Sequence, residues 1–232
     1  DFLITGKRHD FRIDYKVGFD KQGKINGVNF VHYIRCGWSQ DLSLAVADRA
    51  MLHADNAYHL EHCRVESHRL RTNIQSATAF RGFGGPQGMI GMERVIDHIA
   101  DYLAVDPIFI RTRNYYKDAN SVAVAKPQTT HYGMKVTDFG LNAMTEALIE
   151  KCDYFSRHSS IKDWNQKNII LKKGIALTPV KFGISFTTIH LNQAGALVHI
   201  YTDGSIHLNH GGIEMGQGTH TKIAQLVANT FG

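Results

Sequence analysis

Two glycine-rich stretches carry the residue types that can hold an anion or a flat ligand. The first runs Phe80-Arg81-Gly82-Phe83-Gly84-Gly85-Pro86-Gln87-Gly88-Met89, and a helical pattern follows it. Glycine reaches positive φ and lets backbone N–H groups approach a ligand closely. A helix that starts there adds unpaired N–H groups and the positive end of its dipole, the makings of an anion site. Arg81 brings a permanent cation with a fork of donors. The second stretch, His210-Gly211-Gly212-Ile213-Glu214-Met215-Gly216-Gln217-Gly218, repeats the design. Its Gln217 carboxamide both donates and accepts, which suits the edge of a heterocycle. Neither stretch fits a nucleotide fingerprint. The first lacks the Lys-Ser/Thr of a phosphate loop, and the second lacks the GxGxxG spacing with an acidic residue about 20 positions on. Tight turns and close packing are the competing use of the same glycines.

The elements that would position these stretches follow from periodicity. Phe11, Ile13, Tyr15, Val17 and Phe19 alternate with polar or small residues, the pattern of a half-buried strand. Asp20 to Gly23 is a turn, and residues 24–33 return as its hairpin partner. A short helix is expected over 43–54 and a strand over 58–70. From Pro86 the apolar positions Met89, Met92, Ile96, Ile99 and Leu103 fall on one helical face. Asp106-Pro107 reads as an N-cap with proline at the first helical position. Residues 117–136 read as a loop. One further helix is expected after Thr137 or Asp138, with Leu141, Met144, Leu148, Cys152 and Phe155 on its apolar stripe. Residues 156–168 are polar, and strands are expected over 172–186 and 194–202. Asp203-Gly204 is a hairpin signal with 205–209 as partner strand, and a last helix follows Gly218. The order gives an α+β fold, with mixed or antiparallel sheets and packed helices, rather than a doubly wound parallel sheet. Three segments follow: 1–116, 117–168 as a polar connection with one helix, and 169–232.

Composition narrows the function classes. The chain has 232 residues, 43% of them apolar and 20% charged, enough for a large core and not a disordered composition. No apolar run approaches the roughly 20 residues that span a bilayer, and no signal-peptide pattern opens the chain. The net charge of +5 is spread along the sequence, which argues against nucleic-acid binding. Three widely spaced cysteines, Cys36, Cys63 and Cys152, exclude a disulfide framework and a thiolate zinc site and imply a reducing, cytoplasmic setting. Fourteen histidines form no HExxH motif. His207 and His210 point to opposite faces of a strand. The missing initiator Met and an end at a helix terminus suggest a piece of a longer polypeptide.

The stretches 78–89, 181–187 and 191–222, with 3–19 and 48–60 upstream, closely resemble the molybdopterin-binding part of the xanthine dehydrogenase/oxidase family. The resemblance covers nearly the whole chain and is weakest over 117–168. It implies a molybdenum hydroxylase that oxidises hypoxanthine and xanthine to urate with oxygen from water. The metal would be held by a pterin dithiolene rather than by protein side chains, with two [2Fe-2S] clusters and FAD on other domains or subunits. It makes 1–116 a first and 169–232 the start of a second molybdopterin-binding segment. By the same resemblance, Arg49 faces the substrate and stabilises charge developing on the purine. Phe83 stacks on the purine face, Phe186 meets it edge-on, and Thr187 contacts it. Arg81, Gly82, Phe83, Gly84, Met215, Gly216 and Gln217 hold the cofactor. Gly85 resembles the purine-oxidising rather than the aldehyde-oxidising branch. The family's general-base glutamate and two further upstream site residues have no counterpart here, and nothing gives Glu214 that role. The segment alone is therefore expected not to turn over. The partners implied are a purine, an iron–sulfur/FAD subunit or domain and further copies of the whole enzyme, with neither nucleic acid nor membrane. Aldehyde oxidation, or a non-catalytic segment that binds only cofactor or redox partners, are the rival readings.

Overall fold

A computed structural model describes residues 3–117 and 128–232; part of the expected 117–136 loop lies outside them. The described chain divides into two compact units, Asp1–Gly183 and Ile184–Gly232.

In the first unit, β1 (Asp10–Phe19) and β2 (Ile25–Gly37) form the expected antiparallel hairpin. Asp20 closes its turn, the carboxylate accepting the Gln22 and Lys24 N–H groups. Helix α1 (Ser43–Leu52) then crosses to β3 (Cys63–Arg71), which pairs parallel with β2. This is the crossover that a parallel pair requires. The sheet order is β1-β2-β3. Helix α2 (Gly85–Leu103) lays Met92, Ile96 and Ile99 into a core with Ile25, Phe30 and Tyr58. Helix α3 (Pro107–Asn114) starts as expected, Asp106 accepting the Ile108 N–H at 2.9 Å.

Two expectations fail beyond this point. The single helix after residue 138 is two: α4 (Leu141–Lys151) and α5 (Tyr154–Lys167). Asp153, at φ 49°, breaks the chain between them, so the apolar stripe does not continue in phase. The residues 156–168 that read as a polar connection are helical. Helix α5 buries only Tyr154, whose hydroxyl donates to Asp106 at 3.2 Å. A helix that is polar almost all round gives no periodic signal. The expected strand over 172–186 is also absent. Its apolar Val180 and Ile184 are 69% and 75% exposed. From 179 to 183 its backbone bonds to the side chains of Arg49 on α1 and of His53 and Asn56 after it rather than to a ladder.

The second unit is small. Strands β4 (Ala196–Ile200) and β5 (Ile206–His210) pair antiparallel, Ala196 opposite His210 and Ile200 opposite Ile206. The turn between them is the Asp203-Gly204 signal, with Gly204 at φ 86°. Helix α6 (Thr219–Phe231) follows Gly218. No residue of this unit is buried.

Candidate functional site

Helix α1 carries the most unusual side chain of the first unit. Arg49 is 4% exposed, and burial pulls its pKa down, yet a guanidinium stays charged at any accessible pH. It donates to the Gly183 carbonyl. Its guanidinium carbon lies 5.8 Å from the centroid of Phe83 and 5.3 Å from that of Phe182, both within cation–π range. The structure thus brings Arg49 and Phe83 together, as the sequence suggested, and adds Phe182, which it did not.

The glycine-rich bend before α2 is packed from within. Gly82, Phe83 and Gly84 take φ of 92°, 50° and 92° in succession. The Phe83 and Gly85 amides donate to Phe80 and Gly82 carbonyls at 2.7 and 2.9 Å. A Cβ on Gly84 would stand 2.1 Å from the Val46 carbonyl oxygen, and one on Gly88 2.2 Å from that of Ala50. These positions are four apart on both segments, so α2 and α1 approach through backbone rather than side chains. A Cβ on Gly85 would meet the Phe182 ring at 2.6 Å. Close packing, the competing use of the same glycines, is therefore met at Gly84, Gly85 and Gly88. Arg81 is exposed, and its carbonyl accepts from Arg8 at 2.7 Å.

In the second unit, Phe186 donates its N–H to Asn192 Oδ1 and accepts from Asn192 Nδ2, both at 2.7 Å; Thr187 follows it, half-buried. The second glycine stretch closes on itself. Glu214 accepts the N–H groups of Gly216, Gly218 and His220 at 2.6, 3.0 and 3.3 Å, and those amides bring its carboxyl down to about 2. Gln217 Oε1 accepts the Met215 N–H at 2.6 Å, and its Nε2 donates to the Ile213 carbonyl at 2.8 Å. The start of α6 therefore has the chemistry of an anion cradle, held here by the chain's own carboxylate. In kind it fits the anionic part of a pterin cofactor.

Sequence reading missed three residues around Arg49. His53, one turn on, bonds to both the Arg49 carbonyl and the Gly183 N–H. Phe182 lies within cation–π range of the guanidinium. Lys181 pairs with Asp55 at 2.7 Å. The last two lie in the run whose composition reads as a strand, and only the docking of that run beside α1 reveals them. The histidines also include one case of a different kind. His32 is wholly buried in β2 between Phe11 and Phe30, without a hydrogen-bond partner among the described residues, and burial pulls its pKa to about 4. Among the described residues no group of histidine, cysteine or acidic side chains is placed to hold a metal.

The family described as molybdopterin cofactor-binding domain matches residues 1–115 and, in a second part, 147–232. The chain is 44% identical over its whole length to xanthine dehydrogenase 1 of Arabidopsis thaliana, and 43% identical to xanthine dehydrogenase/oxidase of Gallus gallus, covering 16% of each. Among solved structures, reconstituted CO dehydrogenase from Oligotropha carboxidovorans shares the fold with a TM-score of 0.69, at 17% identity over 97% of this chain and 29% of that one. The chain belongs to the xanthine dehydrogenase family as a molybdopterin-binding segment of it. It spans about one sixth of the length of the curated relatives it matches.

Proposed function

We propose that this chain is the molybdopterin-binding part of a molybdenum hydroxylase that oxidises hypoxanthine and xanthine to urate. The observation that carries the reading is the buried Arg49 guanidinium within cation–π range of two aromatic rings, one of them from the glycine-rich bend. A desolvated cation aimed by fixed contacts stabilises negative charge far better than one in water, and a purine ring under attack develops such charge. The names of the relatives at 41–44% identity support the substrate class.

In this reading Arg49 binds a purine carbonyl and offsets the charge that grows on the ring. Phe83 stacks on the heterocycle, Phe186 meets its edge, and Thr187 offers a hydroxyl. Arg81, Gly82, Phe83 and Gly84 flank the cofactor from one bend, and Met215, Gly216 and Gln217 from the other, where the amides now on Glu214 suit an anionic group. When bound, the cofactor supplies the two-electron oxidation at molybdenum. Two [2Fe-2S] clusters and FAD on other domains or subunits would carry electrons away, and the whole enzyme would assemble with copies of itself.

The full-length protein tests this directly. Metal analysis is expected to find molybdenum in proportion to active sites, and a molybdenum-free preparation that is otherwise intact would leave only a binding role. Arg49→Met is expected to lower kcat/KM for hypoxanthine on the order of 100-fold, the cost of one charge-stabilising donor. Efficient aldehyde turnover with no purine turnover would replace the purine assignment by the aldehyde-oxidising one.

A further inference from the structure

His53 lies four residues beyond Arg49, at the C-cap of α1, and is 6% exposed. Its two ring nitrogens have different jobs. Nδ1 lies 2.9 Å from the Arg49 carbonyl oxygen, which can only accept, so Nδ1 carries the proton. Nε2 lies 3.0 Å from the Gly183 nitrogen, which can only donate, so Nε2 is bare. The pair of bonds is satisfied by one form of the ring, the neutral Nδ1–H tautomer. Gly183 is thereby held at both ends of one residue: its N–H by His53, its carbonyl by Arg49. The His53 ring also lies 5.0 Å from Phe182, the aromatic whose centroid is 5.3 Å from the guanidinium carbon.

From this geometry we infer that His53 is a positioning residue that aims Arg49: as a neutral acceptor it fixes Gly183, and Gly183 and Phe182 fix the guanidinium. The inference rests on the role proposed for Arg49 and extends it to a residue that touches no substrate. A protonated ring would lose the acceptor for the Gly183 N–H and place a second cation beside Arg49. The charged groups facing the ring are Arg49 on α1, Lys181 on the docked segment and Asp55 after the helix, with His131 beyond Asp55. Burial, Arg49 and Lys181 all favour the neutral ring, against the Arg49 carbonyl and Asp55. Desolvation is the largest effect and leaves the pKa below 6.5.

The test uses the full-length holoprotein and two readouts. His53→Leu removes the acceptor; His53→Gln keeps an oxygen that can take the Gly183 N–H but does not titrate near neutrality. Hydrogen exchange of the peptide containing Gly183 is expected to quicken roughly two- to tenfold in His53→Leu, the yield of one lost hydrogen bond, and to stay near wild type in His53→Gln. The kcat/KM for hypoxanthine is expected to fall on the order of 10- to 100-fold in His53→Leu, as misaimed groups do, with recovery in His53→Gln. In wild type, kcat/KM is expected to drop as pH falls below 6.5, and His53→Gln to lack that limb. Unchanged exchange in His53→Leu would overturn the clamp. Lost protection with unchanged purine turnover, in a protein where Arg49→Met does lower it, would overturn the link to Arg49. If His53→Leu does not fold, the His53→Gln pH profile decides: an acid limb identical to wild type rejects the inference. A protein with no purine turnover at all would sink the proposed function, while the exchange measurement would still report on the clamp.

Discussion

Glu214 stands fully in solvent, yet its carboxyl titrates at about 2 because the Gly218, Gly216 and His220 amides point at it. A depressed acid contributes stability that is present above its ordinary pKa of 4.5 and disappears as pH falls toward the folded value. Glu214→Gln is therefore expected to quicken amide exchange at the start of α6 at neutral pH. The gap between variant and wild type should close as pH is lowered from 4.5 to about 2; a gap that persists would mean that the carboxylate does not cap the helix. Arg49 is the opposite case. Its charge is buried rather than solvated, and its use depends on a carbonyl and two rings from distant parts of the chain. The residue type of Glu214 and its distance to the helix were visible in the sequence, but which group would take those amides was not, since any anion of suitable size meets the same need.

At the scale of elements, α1 and α2 meet through missing side chains. The Gly84 and Gly88 positions face the Val46 and Ala50 carbonyl oxygens at 2.1 and 2.2 Å from where a Cβ would sit. Gly88→Ala must push two helices apart, and overpacking of this kind costs about 1–3 kcal/mol. Urea denaturation should show that loss, whereas Gly140→Ala, with nothing within 4 Å of its new Cβ, should change stability by less than about 0.5 kcal/mol. Equal effects would mean that the glycines serve only the bend. The α2 pattern was legible because Met92, Ile96 and Ile99 face a core at helical spacing. The Asp106-Pro107 start of α3 was legible because a cap is a local device. Helix α5 was not, because it buries one side chain and its polar surface carries no period. The 172–186 run looked like a strand because β-branched and aromatic residues are common to strands and to extended segments that dock without a ladder.

For the whole molecule, buried charge ties sequence-distant segments of the first unit together. Arg111 of α3 donates to Glu93 and Asp97 of α2, each at 2.9 Å, and Glu93 also accepts from Asn56 and Tyr58. Asp55 is wholly buried and accepts from Tyr116 and Lys181, both at 2.7 Å. Burial alone would raise its carboxyl, but His131 and Lys181 outweigh it and bring the pKa below 3.8. This ion pair holds the 179–183 segment beside Arg49. Lys181→Met strands a buried carboxylate and should cost about 3–5 kcal/mol of stability, read by urea denaturation. The sign with pH follows: wild type keeps the contribution of Asp55 above pH 3.8 and loses it as pH falls through the lower folded value. A variant as stable as wild type would mean that water, not Lys181, balances Asp55.

The sequence by itself determined the local devices: the β1–β2 and β4–β5 hairpins, the capped start of α3, the apolar face of α2 and the two glycine-rich bends. Each depends on residues near one another in the chain, so type and spacing suffice. Only the tertiary structure decided that Arg49 lies near both Phe83 and Phe182, that His53 and Arg49 share Gly183, and that Gly84 and Gly88 abut the backbone of α1. Those outcomes join residues up to 134 positions apart, and no local pattern encodes which distant carbonyl or ring will fill a given space.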